Sequence, residues 1–139
     1  MVVQNENIEK NCCFYVSDFH LEMILIPYIN NKIDEKITIV TEKKLRKTLE
    51  ILMSKINIKE ENKEKILKLD WDGKDDIEEK SNIIIIGTKE FIEEKNNELE
   101  NKNILTVLDC YDFEKEKDDM ENIIKQYKNT LNTLGKCSI

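Results

Sequence analysis

The sequence predicts a three-layer α/β domain of the Rossmann-like or flavodoxin-like kind, with about five mostly parallel strands and helices on both faces. Three observations predict it. Short apolar runs alternate with segments of helical periodicity. The strongest runs, Ile83-Ile84-Ile85-Ile86 and Ile104-Leu105-Thr106-Val107-Leu108, are apolar almost throughout, which suits strands buried on both faces of a parallel sheet. The chain has 139 residues, 40% of them hydrophobic, the size and content of one domain with its own core. The expected organisation is a polar N-terminal segment over 1–11, the domain over 12–135 and a short tail over 136–139.

Cys12-Cys13-Phe14-Tyr15-Val16 reads as the first strand, with the two cysteines on opposite faces. Asp18 is placed to cap the helix that follows. That helix, Leu21 to Ile29, is apolar nearly all round, so it should be covered on several sides. Pro27 predicts a kink or an early end. Lys36-Ile37-Thr38-Ile39-Val40 is the second strand, and Thr41 is a cap for a helix carrying Leu45, Leu49, Leu52 and Ile56. A charged bridge over 57–65 leads to Ile66-Leu67-Lys68-Leu69, a weaker third strand. Only about ten residues then remain before the fourth strand, short for a parallel crossover. This predicts either a short helix over 75–79 or an antiparallel third strand at an edge. Thr88 should cap a helix carrying Phe91, Ile92 and Leu99 after the fourth strand, Ile83–Ile86. The fifth strand ends before Asp109. Met120, Ile123, Ile124, Tyr127, Leu131 and Leu134 form the stripe of a last helix, with Gly135 as its stop.

Composition removes several functions. The net charge is −7, and no basic cluster stands out against it, so nucleic acid is not expected as a partner. Arg46 is the only arginine, which excludes a multi-arginine anion clamp. No stretch reaches the roughly 18 apolar residues of a membrane span. The polar, acidic start does not read as a signal peptide, so the expected location is cytoplasmic, with Cys12, Cys13, Cys110 and Cys137 as thiols. No Cys-x-x-Cys pair is present. With only Gly73, Gly87 and Gly135, neither a Gly-x-Gly-x-x-Gly loop nor a Walker loop can be written. A Gly-x-Ser-x-Gly hydrolase elbow is absent as well.

Two short resemblances bear on chemistry. Val16-Ser17-Asp18-Phe19-His20-Leu21 resembles the first block of the metallophosphoesterases, whose Asp and His implies one ligand pair of a two-metal site. His20 is the only histidine, and the family's later Gly-Asp and Gly-Asn-His blocks do not occur, so the family's chemistry is not carried over. The length, the strand–helix alternation, Asp18, Asp70 and Thr88 also resemble a response-regulator receiver domain. That family requires a Lys after its fifth strand, where this chain has Asp109-Cys110-Tyr111-Asp112.

What remains is collective. Ligands of open parallel sheets bind beyond the carboxyl ends of the strands. The expected rim there carries Asp18, His20, Glu42, Asp70, Asp72, Thr88, Asp109 and Asp112. Trp71, the only tryptophan, is expected to pack beneath the adjacent loop. The sequence predicts a non-catalytic interaction or regulatory module. Leu21, Ile24, Leu25 and Tyr28 of the first helix are its candidate interface with a protein partner or a second copy. The alternative is a divalent-metal-dependent enzyme acting on a phosphorylated substrate. In that case Asp18 and His20 would hold Mg²⁺ or Mn²⁺, and no other cofactor is expected.

Overall fold

The computed structural model describes residues 8–73 and 76–138, with the backbone alone at 46 and 47. In chain order the elements are β1 (Glu9–Tyr15), α1 (Asp18–Asn31), β2 (Lys36–Thr41), α2 (Arg46–Met53), α3 (Glu60–Leu67), β3 (Ser81–Ile86) and α4 (Lys89–Glu98). β4 (Thr106–Asp112), α5 (Phe113–Glu116), a 3-10 turn (Lys117–Asp119), α6 (Met120–Ile124), β5 (Asn129–Asn132) and β6 (Gly135–Ser138) follow. Among the described residues these strands make one six-stranded sheet in the order β2-β3-β4-β1-β5-β6. All neighbours are parallel except β5 and β6. The protein is therefore α/β with a mostly parallel sheet. Its strand order is neither of the two common doubly wound orders, since β1 lies inside between β4 and β5 while β2 forms an edge.

The alternation of side chains along each strand divides the core in two. On one face Cys13, Ile84, Ile86, Leu108 and Cys110 meet α1, α2, α3 and Trp71. On the other, Cys12, Ile83, Ile85, Val107 and Tyr111 meet Ile92 and Leu99 after β3 and Ile123 of α6. α1 contacts β1 on one side and both α2 and α3 on another, which accounts for its apolar circumference. Leu21, Ile24, Leu25 and Tyr28 are all buried, so the four residues expected at an interface are covered by the chain itself. Pro27 neither ends nor shortens this helix, which continues to Asn31.

Several expected elements are corrected. Ile66–Leu69 is not a strand: Ile66 and Leu67 close α3 and the next residues turn. The residues from Asp76 to Lys80 form no helix, and Asp75 lies outside the described residues. Trp71 packs with α1 on one face while Ile77 packs on the other, so this connection passes the β2 edge between them. It does so at Gly73, whose φ is +67° and whose added Cβ would stand 2.6 Å from the Thr41 backbone nitrogen. The last helix is only Met120–Ile124, and the chain then forms the β5–β6 hairpin. The reason is visible in the core. Ile123 packs on one face of the sheet and Leu131 on the other, which one continuous helix cannot do. Gly135 accordingly begins β6 and stops no helix, and the described part of the expected tail, through Ser138, is that strand. Glu9 to Asn11, placed in the polar segment, belong to β1.

The amino ends of the strands carry a buried polar network. Thr106 Oγ1 donates to Asn82 Oδ1 at 2.7 Å, and the Tyr28 hydroxyl lies 3.0 Å from Thr106 Oγ1. Asn129 Nδ2 donates to Asn11 Oδ1 at 2.8 Å, which ties β5 to β1. These pairings satisfy polar groups that would otherwise cost stability. No described helix is long and apolar enough to cross a membrane.

Candidate functional site

The carboxyl ends of β1 to β4 open on one edge of the sheet. β1 ends at Tyr15, and Ser17, not Asp18, caps α1: its Oγ accepts the His20 backbone N–H at 3.1 Å. Asp18 is the first helical residue, where a carboxylate favours the positive end of the helix dipole. It pairs with Lys43 Nζ at 2.6 Å. His20 turns its ring back on the loop, so that Nδ1 accepts the Val16 N–H at 2.9 Å. Asp18 and His20 are thus two residues apart with separate partners. Among the described residues no three Asp, Glu, His or Cys side chains gather where they could hold a metal ion.

Glu42 follows β2 and reaches across the sheet end. Its backbone N–H donates to Ile86 O at 3.0 Å, and its Oε1 accepts the Thr88 N–H at 2.8 Å. Gly87 makes this crossing possible. A Cβ there would lie 2.4 Å from Glu42 Oε1 and 2.5 Å from Phe91 Cδ1. Thr88 caps α4 as expected, its Oγ1 accepting the Phe91 N–H at 3.2 Å. Thr88→Ala should cost about 1 kcal/mol in urea unfolding and Thr88→Ser little. An equal loss in Thr88→Ser would mean that the methyl group, not the cap, matters. Thr41, expected as a cap, instead turns on Lys43: Oγ1 accepts the Lys43 N–H at 2.8 Å and donates to Lys43 O at 2.7 Å.

Tyr15, Glu42, Lys43, Gly87, Thr88, Asp112, Lys115 and Glu116 enclose a crevice of about 270 Å³. Lys43 spans it, with Nζ 5.0 Å from the centre of the Tyr15 ring as well as on Asp18. Burial, then the neighbouring Asp112 carboxylate, push the Tyr15 phenol well above its ordinary pKa, so it remains a neutral donor. Asp112 Oδ1 caps α5 by accepting the Glu114 N–H at 3.0 Å. The crevice has a particular place in the topology. The chain leaves β1 through α1 on one face and leaves the adjacent β4 toward α6 on the other. The gap between their carboxyl ends is a topological switch point, where open α/β sheets bind ligands.

Of the expected rim, Glu42, Thr88 and Asp112 line this crevice, and Asp18 adjoins it through Lys43. Asp70 and Asp72 do not line it. They stand in the turn after α3, where Asp70 Oδ1 accepts the Asp72 N–H at 3.2 Å. Asp109 is not at a strand end at all, because β4 continues to Asp112 and Asp109 is wholly buried in its middle. Tyr15, Lys43, Lys115 and Glu116 were not expected. Tyr15 carried a signal, as the last residue of an apolar run. Burial pushes the Cys12 thiol up to about 12 and the Cys110 thiol well above its ordinary value, so neither supplies a thiolate.

Comparison with known proteins gave no matching family model, no matching curated protein and no matching solved structure.

Proposed function

We propose that this chain is a cytoplasmic, non-catalytic interaction or regulatory module of the doubly wound, Rossmann-like kind, working at the crevice between β1 and β4 and at the exposed start of α1. The observation that carries this reading is the crevice at the switch point, with three of its charged groups already partnered. Glu42 holds the Thr88 N–H, Asp112 caps α5 and Lys43 is paired with Asp18. Such groups shape a recognition surface. A general acid or base needs a carboxyl poised at a reacting proton. After β1 and at the start of α1, Val16, Phe19 and Met23 are 64%, 51% and 37% exposed, and Phe19 and Met23 lie one helical turn apart. Phe19 and Met23, not the buried Leu21, Ile24, Leu25 and Tyr28, are the apolar groups that α1 offers to a protein partner or a second copy of the chain.

Light scattering on size-exclusion fractions over a range of concentration tests this. Wild type should pass from monomer to dimer, and Phe19→Glu with Met23→Glu should stay monomeric with an unchanged melting temperature. A wild type that remains monomeric at every concentration removes the self-association. Hydrolysis of a phosphate ester with Mg²⁺ or Mn²⁺, lost in both Glu42→Gln and Asp112→Asn, would replace the module with an enzyme.

A further inference from the structure

Asp109 points from the middle of β4 into the face covered by α4 and α6, with no part of it open to solvent. Its Oδ2 accepts the Tyr127 hydroxyl at 2.6 Å and Asn96 Nδ2 at 3.0 Å. Tyr127 also bonds the Tyr111 hydroxyl, and Asn96 Nδ2 also donates to Ile92 O at 2.9 Å. Two buried oxygens are left over, Asp109 Oδ1 and Asn96 Oδ1, and neither has a hydrogen-bond partner. Both are acceptors, so an ionised Asp109 can satisfy neither. A protonated Asp109 supplies one O–H, and acid and amide then complement each other. Nδ2–H is donated one way, to Oδ2, and Oδ1–H the other way, to the amide oxygen.

We propose that Asp109 and Asn96 together form a proton site that acts as a switch. With the proton bound, α4 and the α6–β5 connection are locked on the sheet; with it lost, they loosen. The groups facing the site fit this. From β1 come Cys12, paired with Asp109 in register, and Lys10, a cation acting on it. α4 brings Glu93 to the adjoining cleft of about 200 Å³, which Tyr111 and Tyr127 also line. Burial outweighs the Tyr127 and Asn96 hydrogen bonds and the Lys10 charge, and pushes the Asp109 carboxyl up to about 6. The sign follows. Below the unfolded value of 3.8 both states are protonated and the stabilisation is complete. As pH rises toward 6 the folded state holds the proton that the unfolded chain has lost, so stability falls through this window and levels off above it.

The experiment is a carbon-13 titration of the wild-type carboxyl groups, assigned through the backbone, with hydrogen exchange of the α4 amides at pH 5 and 7.5. The Asp109 carboxyl should titrate near 6, and α4 protection, corrected for intrinsic rates, should drop on the order of 10-fold between the two pH values. Asp109→Asn offers an amide that makes the same two bonds without titrating, so its α4 protection should not change with pH. A wild-type midpoint near 4 overturns the switch, even should the variant not fold. The same loss of protection in Asp109→Asn as in wild type overturns it as well.

Discussion

Trp71→Ala should lower the unfolding free energy by about 3–5 kcal/mol, the usual cost of deleting a buried aromatic side chain. Trp71 is 1% exposed and packs with α1, α2 and α3 against the sheet. Its indole Nε1 also donates to Ile66 O at 2.8 Å, so the ring fastens the end of α3 to the connection that follows. For a domain whose whole stability is about 5–15 kcal/mol, this is a large share. Trp71→Phe keeps most of the buried ring and loses the hydrogen bond. Ile66 O retains the Leu69 N–H at 3.3 Å, so this variant should cost about 1–2 kcal/mol. Guanidinium unfolding followed by circular dichroism measures both, because the variants lack the only tryptophan that fluorescence could follow. A loss below about 1 kcal/mol in Trp71→Ala would mean that the ring is not packed in the core.

Gly73→Ala should be nearly as damaging, about 2–4 kcal/mol, by a different route. The left-handed backbone at φ +67° costs a residue with a Cβ about 1–2 kcal/mol. The new methyl would then stand 2.6 Å from Thr41 N and 3.1 Å from Thr41 O. Those are backbone atoms of an edge strand and cannot rotate aside, so the connection must lift from β2. Gly87→Ala is the informative contrast. Its methyl meets the Glu42 carboxylate and the Phe91 ring, both side chains that can move. Gly73→Ala should therefore lower the melting temperature much further than Gly87→Ala. Equal shifts would show that the close approach to Thr41 does not constrain the chain.

The parts of the fold legible in the sequence are those whose burial is local and complete. Ile83–Ile86 sits between two strands and beneath two helical layers, and its four isoleucines say so. Thr88 and its helix were legible for the same reason, as a cap has a short-range signature. β5 was not. Asn129-Thr130-Leu131-Asn132 has one apolar residue, and it is a strand only because β1 has an open edge for it to fill. The apolar spacing from Met120 to Leu134 fits a helix, but nothing local reveals that Ile123 and Leu131 belong to opposite faces. Ile66-Leu67-Lys68-Leu69 misled in the other direction, since α3 delivers Ile66 to the core from a charged helix. At the site, Glu42, Thr88 and Asp112 were legible because polar residues directly follow apolar runs. Asp109 broke that rule: its carboxyl is tolerated inside β4 only because Asn96 and Tyr127, 13 and 18 residues away, meet it there.

The interior position of β1 sets a constraint on the order of assembly. β1 pairs on one side with β4 and on the other with β5, where Asn11 and Asn129 are 118 residues apart. A nascent chain that has already formed β2, β3 and β4 still has an unpaired edge in the middle of its future sheet. That edge can recruit strands from other molecules until the final hairpin arrives. Contacts this distant in sequence also slow folding. The sheet is thus completed by a strand distant in sequence from β1, and a part-formed sheet stays exposed to mispairing until β5 is in place.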